Sequence, residues 1–146
     1  MIRFNDPHDA YAIAKASGTQ FNSEVDQCIA RVEDGRLIGG CLYQNYTGVS
    51  IGIHMAGFDP LWINRDMLWV CFHYPFIQLG CNKMFGQVPE SNSKALEIDL
   101  KLGFKEEARI KDVFPDGDMI VLAMKREDCR WLRLKPRGIK EPSYGW

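Results

Sequence analysis

The stretch Gln87-Val88-Pro89-Glu90-Ser91-Asn92-Ser93-Lys94-Ala95-Leu96-Glu97-Ile98-Asp99-Leu100-Lys101-Leu102-Gly103-Phe104 decides how the rest of the chain is read. It begins as the end of a strand and restarts as a helix whose free backbone donors Ser91 or Asn92 can cap. Gly103 can take the left-handed turn that stops this helix after Leu102. At about 100° per residue, Ala95, Ile98 and Leu102 share one side, and Leu96 and Leu100 widen the apolar arc. Asp99 falls inside that arc instead of on the charged side, and a carboxylate there needs a reason.

Working outward, two strands should follow Phe104, joined at Pro115-Asp116-Gly117-Asp118. Upstream, Cys81 to Val88 reads as a strand, and Asn64-Arg65-Asp66 opens a helix running to about Leu79 that is apolar nearly all round. Pro75 must kink that helix or reset its last turn. Gly57-Phe58-Asp59-Pro60 breaks the chain before it. Asp34-Gly35 is a two-residue hairpin signal between Gln27–Glu33 and Arg36–Tyr43, and Tyr46-Thr47-Gly48 turns the chain into Val49–Ala56. Asp6-Pro7 starts a first helix that Gly18 closes, with Tyr11, Ile13 and Ala14 on its buried side. The order is then helix, three strands, helix, strand, helix, two strands. Its central strand-helix-strand crossover demands one parallel pair in an otherwise antiparallel sheet.

Asn92, Ala95 and the run Lys101-Leu102-Gly103-Phe104, followed by a strand pair ending in Ile120-Val121-Leu122-Ala123-Met124, resemble the C-terminal half of the GNAT superfamily of N-acetyltransferases. Gly52-Ile53-His54 and Trp69-Val70-Cys71-Phe72 are most similar to the small GNAT-like proteins of tailed bacteriophages. The resemblance implies an α/β (α+β) fold, the acyl-CoA N-acyltransferase type, with a mixed, mostly antiparallel sheet flanked by helices. It also implies acetyl-CoA as acyl donor, admitted by a V between the parallel strands. Asn92 would lie beside the pantetheine arm, the strand residues His54, Met55 and Ala56 at its end, and Trp62, Ile63, Asn64 and Arg65 at the diphosphate. Two departures stand out. Aligning on Gly103-Phe104 puts Asp99 where many members carry a tyrosine that protonates the leaving thiolate, and the loop from Asp59 to Arg65 lacks the family's glycines.

With 146 residues, 46% of them hydrophobic, one continuous core is expected, and 1–131 reads as a single domain followed by a basic tail over 132–146. No apolar run approaches a membrane span, and the first residues do not read as a signal peptide, so a cytoplasmic protein is expected. Five cysteines without a Cys-x-x-Cys suggest buried thiols, and the scattered histidines no metal site. Net charge is -1, but from Lys125 to Trp146 seven basic residues face three acidic ones, +4. The remaining 11 basic and 16 acidic residues give -5. Such a tail solvates the chain or packs on its own acidic body, and its aromatics are too sparse for a nucleic-acid stacking platform.

Acyl transfer to an amine needs a held thioester, a deprotonated amine and a proton for the departing thiolate. An imidazole near pKa ~6.5 could take the proton, which makes His54 a candidate base, against the plainer reading of a histidine hydrogen-bonded within a sheet. Asp99 could serve as the acid only if burial raises its pKa substantially; otherwise it is a structural carboxylate with a basic or backbone partner. Tyr43 and Tyr74 are acids by type but read as packed. Asn92 can be both cap and amide contact. The donor loop precedes a helix whose first backbone donors favour an anion, and Arg65 could add a charge-assisted contact. The acceptor is an amine on a small molecule or a protein, and a homodimer stays open. The missing tyrosine and loop glycines support a second reading, a catalytically weak or inactive binding module that acts on a host protein.

Overall fold

The structure, a computed structural model, describes residues 1–139. Its elements are β1 (Ile2–Phe4), α1 (Pro7–Ala16), β2 (Gln27–Glu33), β3 (Arg36–Gln44), β4 (Ser50–Gly57), α2 (Arg65–His73), β5 (Lys83–Pro89), α3 (Ser93–Leu102), β6 (Lys105–Phe114) and β7 (Gly117–Lys125). The seven strands form one sheet in the order β1-β2-β3-β4-β5-β7-β6. Every neighbouring pair is antiparallel except β4 and β5, as the α2 crossover requires.

The signals at chain reversals are used as expected. Asp34 and Gly35 both have positive φ, the geometry that matches the twist of a two-residue hairpin. Asp6 caps α1 by accepting from the backbone of His8 and Asp9. Asn92, not Ser91, caps α3 through the Ala95 N–H, and Gly103 closes it at φ 111°. Two expectations about exposure do not hold. Leu100 on α3 and Tyr11 on α1 are mostly in solvent, and α1 buries Asp9 where Tyr11 was expected. The reason lies in β1, a strand too short to be legible as one: it carries Arg3, whose guanidinium grips both oxygens of Asp9 at 2.7 Å. A paired carboxylate can be buried where an unpaired one cannot.

Pro75 sets the shape of the helical segment after α2. It has no N–H to offer the carbonyl of Cys71, and Tyr43 Oη donates to that oxygen instead at 2.6 Å. The chain widens into one π turn over Tyr74–Gln78, with Leu79 N donating to Tyr74 O. Tyr43 and Tyr74 are both packed in the core, as their plainer reading had it.

The core has two layers. On the inner face of the sheet, α2 and α3 pack on Ile51, Ile53, Met84, Val88, Leu122 and their neighbours. On the outer face, α1 packs on Cys28, Ala30, Leu42 and Ala56. All five cysteines are buried free thiols. β6 is an exposed edge, and its charges and register shifts guard it against further pairing. Among the described residues no helix is long and apolar enough to cross a membrane, and no three His, Cys, Asp or Glu side chains gather as metal ligands.

The basic segment is docked as far as it is described. Leu132, Leu134 and Ile139 lie against the core. Arg65 Nε donates to Lys135 O at 2.7 Å, and the Asp66 carboxylate accepts from the N–H groups of Arg137 and Gly138 at 2.6 and 2.9 Å.

Candidate active site

β4 and β5 pair over only three positions, Ser50 with Lys83, Ile51 with Met84 and Gly52 with Phe85. Beyond these the strands keep their outer partners, β4 pairing with β3 as far as Gly57 and β5 with β7 as far as Pro89, but no longer each other. The sheet therefore splits into a V, and the backbone edges facing into it lack a strand partner. A cleft of about 710 Å³ fills the opening, lined by residues of β4, β5 and α3, the loop after β4 and the end of α1.

Alternation along β4 sorts the walls. Ile53 and Met55 face inward, toward α2 and α3, whereas His54 and Ala56 face the α1 side. Of the residues singled out from the sequence, His54, Met55, Ala56, Trp62, Asn92 and Asp99 all line this cleft. Ile63, Asn64 and Arg65 do not. Ile63 packs on the core, Asn64 is the α2 cap with its side chain on the Met67 N–H at 2.9 Å, and Arg65 is turned to the carbonyl of Lys135. Arg65, expected at the diphosphate, has its Nε held by the docked C-terminal segment.

Trp62 occupies a place the sequence did not reveal. Its indole lies flat against Gly39 and Gly57, paired neighbours on β3 and β4, so closely that a Cβ on either would come within 2.5 Å of the ring. Both glycines are there for close approach, and Arg31 holds the carbonyls of Leu61 and Trp62 to keep the loop down. The bulky loop, with no glycine between Asp59 and Arg65, is thereby folded onto the sheet, forming part of the cleft wall.

Asp99 makes no hydrogen bond or ion pair through its carboxylate among the described residues, which overturns the reading of a partnered structural carboxylate. Burial pushes its pKa up to about 7. His54 is shifted the opposite way: burial lowers its pKa from 6.5, opposed in part by the negative charge of Asp26. The cleft therefore holds a carboxyl group that keeps its proton to near neutrality and an imidazole that tends to be without one. Asn92 caps α3 and borders the cleft at once. Ser17, Gln87, Lys94 and Phe104 also line it; no local pattern marks them, because they meet only through the topology.

No family model matches the sequence, and neither does any curated protein. In three dimensions the chain is similar to the spermidine N-acetyltransferase of Vibrio cholerae in complex with CoA and spermine, at 15% identity and a TM-score of 0.67, covering 88% of this chain and 96% of that one. It is similar to an N-acetyltransferase of Campylobacter jejuni in complex with acetyl coenzyme A at 20% identity and a TM-score of 0.53, covering 69% and 68%. It is also similar to an acetyltransferase of the GNAT family from Bacillus anthracis at 14% identity and a TM-score of 0.56, covering 82% and 87%. The fold of the chain is thus the GNAT fold, with its mixed, mostly antiparallel sheet.

Proposed function

We propose that the protein is an acetyl-CoA-dependent N-acetyltransferase that passes an acetyl group directly to an amine. The observation that carries this reading is the parting of β4 from β5 after Gly52 and Phe85, which frees a backbone edge along Ile53–Gly57 inside a cleft of suitable size. Buried peptide groups need partners, and the amides of a pantetheine arm can provide them. Bound acetyl-CoA would supply the acetyl thioester. Neighbours of the same fold described with CoA and spermine or with acetyl coenzyme A support this choice of donor.

Within this reading, Met55 and Ala56 present backbone groups to the donor, and Asn92 and Trp62 border its path. His54 accepts a proton from the acceptor amine, directly or through water. Asp99, protonated below about pH 7, gives a proton to the departing thiolate, the part that a tyrosine plays in many members of the family. The acceptor is an amine on a small molecule or a protein. A cytoplasmic setting, kinship with the phage-encoded proteins and a homodimeric state belong to the same reading of the sequence.

A second reading, a binding module with weak or no transfer, is favoured by the N-terminus of α2. There the Asp66 carboxylate and the segment 135–138 occupy the region where a diphosphate would be attracted. Thermal unfolding with acetyl-CoA, CoA and ATP separates the two. A ligand at about 100 times its dissociation constant stabilises the folded state by about 2.7 kcal/mol. A shift specific to the CoA species, followed by turnover with an amine panel, supports the enzyme. A shift without turnover favours the module, and no shift at millimolar ligand removes the donor from both.

A further inference from the structure

On the α1 side of the sheet, next to His54, lies a polar cluster that the proposed chemistry has not used. Gln44, near the end of β3, is its centre. Its Nε2 donates to Asp26 Oδ2 at 2.8 Å and to Gln20 O at 2.6 Å, and its Oε1 accepts from Thr19 Oγ1 at 3.0 Å. Asp26 Oδ2 also accepts from Asn22 N at 2.8 Å. Asp26 is almost fully buried, and its Oδ2 meets two N–H donors, those of Gln44 and Asn22. One amide side chain thus ties the whole turn between α1 and β2 to the sheet.

The register fixes where this charge sits. Gln44 pairs with Gly52 and Leu42 with His54, so Gln44, Gly52 and His54 share the outer face in successive positions. Gly52 contributes no side chain there. Of the other titratable groups on this side, Asp59 in the loop after β4 is ion-paired with Arg36 and Asp9 on α1 with Arg3. Lys15 on α1 and Glu24 in the turn are exposed, and Lys94 and Asp99 belong to the α3 wall of the cleft. Cys28 on β2 stays a thiol, its pKa pushed to about 12 by burial. β5 offers Gly86, Gln87, Val88 and Pro89 to the cleft wall, none of them titratable.

We propose that Asp26, held by Gln44 and the Asn22 N–H, is the positioning carboxylate of His54: it draws the ammonium form of the acceptor to the α1 side of the cleft and stabilises the imidazolium formed when His54 takes the proton. Asp26 acts through the imidazole and touches neither acetyl donor nor reacting amine. The proposal rests on the N-acetyltransferase reading for its chemistry, but the coupling between the two side chains does not. The negative charge of Asp26 favours the charged imidazole of His54, which agrees in sign.

The test is an NMR titration of the imidazole resonances of the full chain, with His54 assigned through His54→Gln. Asp26→Asn keeps an oxygen acceptor for Asn22 N and Gln44 and removes only the charge. His54 should then titrate at lower pH than in the native chain, and Asp26→Glu should restore most of the difference. An unchanged His54 titration in a folded Asp26→Asn variant overturns the coupling. In the kinetic arm, the acid limb of kcat/KM should move to lower pH by the same interval as the NMR value. If the NMR shift occurs while no amine is acetylated by any variant, the transferase reading fails and the proposed catalytic role of Asp26 fails with it. Loss of stability without movement of the His54 titration would show a structural cluster only, and would also overturn the proposal.

Discussion

Asp99 on α3 and His54 on β4 line different walls of one cleft, and burial drives their proton affinities in opposite directions. A base must be without its proton and an acid must hold one, so activity requires pH above the lowered pKa of His54 and below that of Asp99. The expected kcat/KM profile is a bell with an acid limb below pH 6.5 and an alkaline limb near pH 7. Asp99→Asn should abolish the alkaline limb and lower kcat by about 100-fold, the smaller end of what general acids contribute. A rate that keeps rising to pH 9 in the native chain would remove Asp99 from the chemistry.

The same carboxyl group carries a stability signature. Its folded pKa lies above its unfolded value of 3.8, so its favourable contribution is complete below that value and is lost as pH rises through about 7. Above neutrality the fold must hold an unpartnered charge. Asp99→Asn should therefore stabilise the protein at pH 8 by ~2 kcal/mol, roughly half of what the full shift implies at 1.36 kcal/mol per unit, because the open cleft admits water. At pH 4 the two proteins should unfold at nearly the same temperature. A variant less stable than the native chain at pH 8 would point to a partner for Asp99.

Trp62 depends on the absence of two side chains. Gly57→Ala places a methyl group 2.2 Å from its indole nitrogen, and Gly39→Ala places one 2.5 Å from its ring carbons. The ring must leave its bed in either variant, at a cost of about 1–3 kcal/mol. Tryptophan fluorescence should shift to the red as Trp62 gains solvent. If Trp62 is part of the donor path, the thermal shift with CoA should shrink as well.

Most of the chain order could be read from short-range chemistry: Asp6-Pro7, Asp34-Gly35, Asn92 and Gly103 each act through their immediate neighbours. β1 escaped because three residues carry no period. The exposure of Tyr11 was misjudged because the ion pair that buries Asp9 reaches back to Arg3. Asp99 was legible as an anomaly, since a carboxylate in an apolar arc violates the helix pattern, but whether it had a partner depended on what stood across the cleft. The bed of Gly39 and Gly57 under Trp62 could not be seen at all, because their contact is set by the pairing of β3 with β4 and by the fold of the following loop. The partner of Arg65 Nε was hidden for a related reason: the carbonyl of Lys135 lies seventy residues away in sequence.

Asp66 tests what the docked C-terminal segment does. Its two oxygens accept from Arg137 N and Gly138 N, and its charge sits in the first turn of α2, where the helix dipole favours an anion. Asp66→Ala should loosen the segment, because among the described residues it leaves the bond from Arg65 to Lys135 O and the apolar contacts of Leu132, Leu134 and Ile139. These hydrogen bonds are exposed, so the loss should be modest, about 1 kcal/mol. Trypsin should cut after Arg137 faster than in the native chain, while the rest of the domain resists; Lys135 precedes Pro136 and is not a site. For a phosphate-bearing ligand the change removes a like charge from the helix start, and CoA should bind more tightly. Faster proteolysis with tighter CoA binding would mark the segment as a competitor of the donor. Faster proteolysis with weaker binding would show that Lys135 and Arg137 help to hold it.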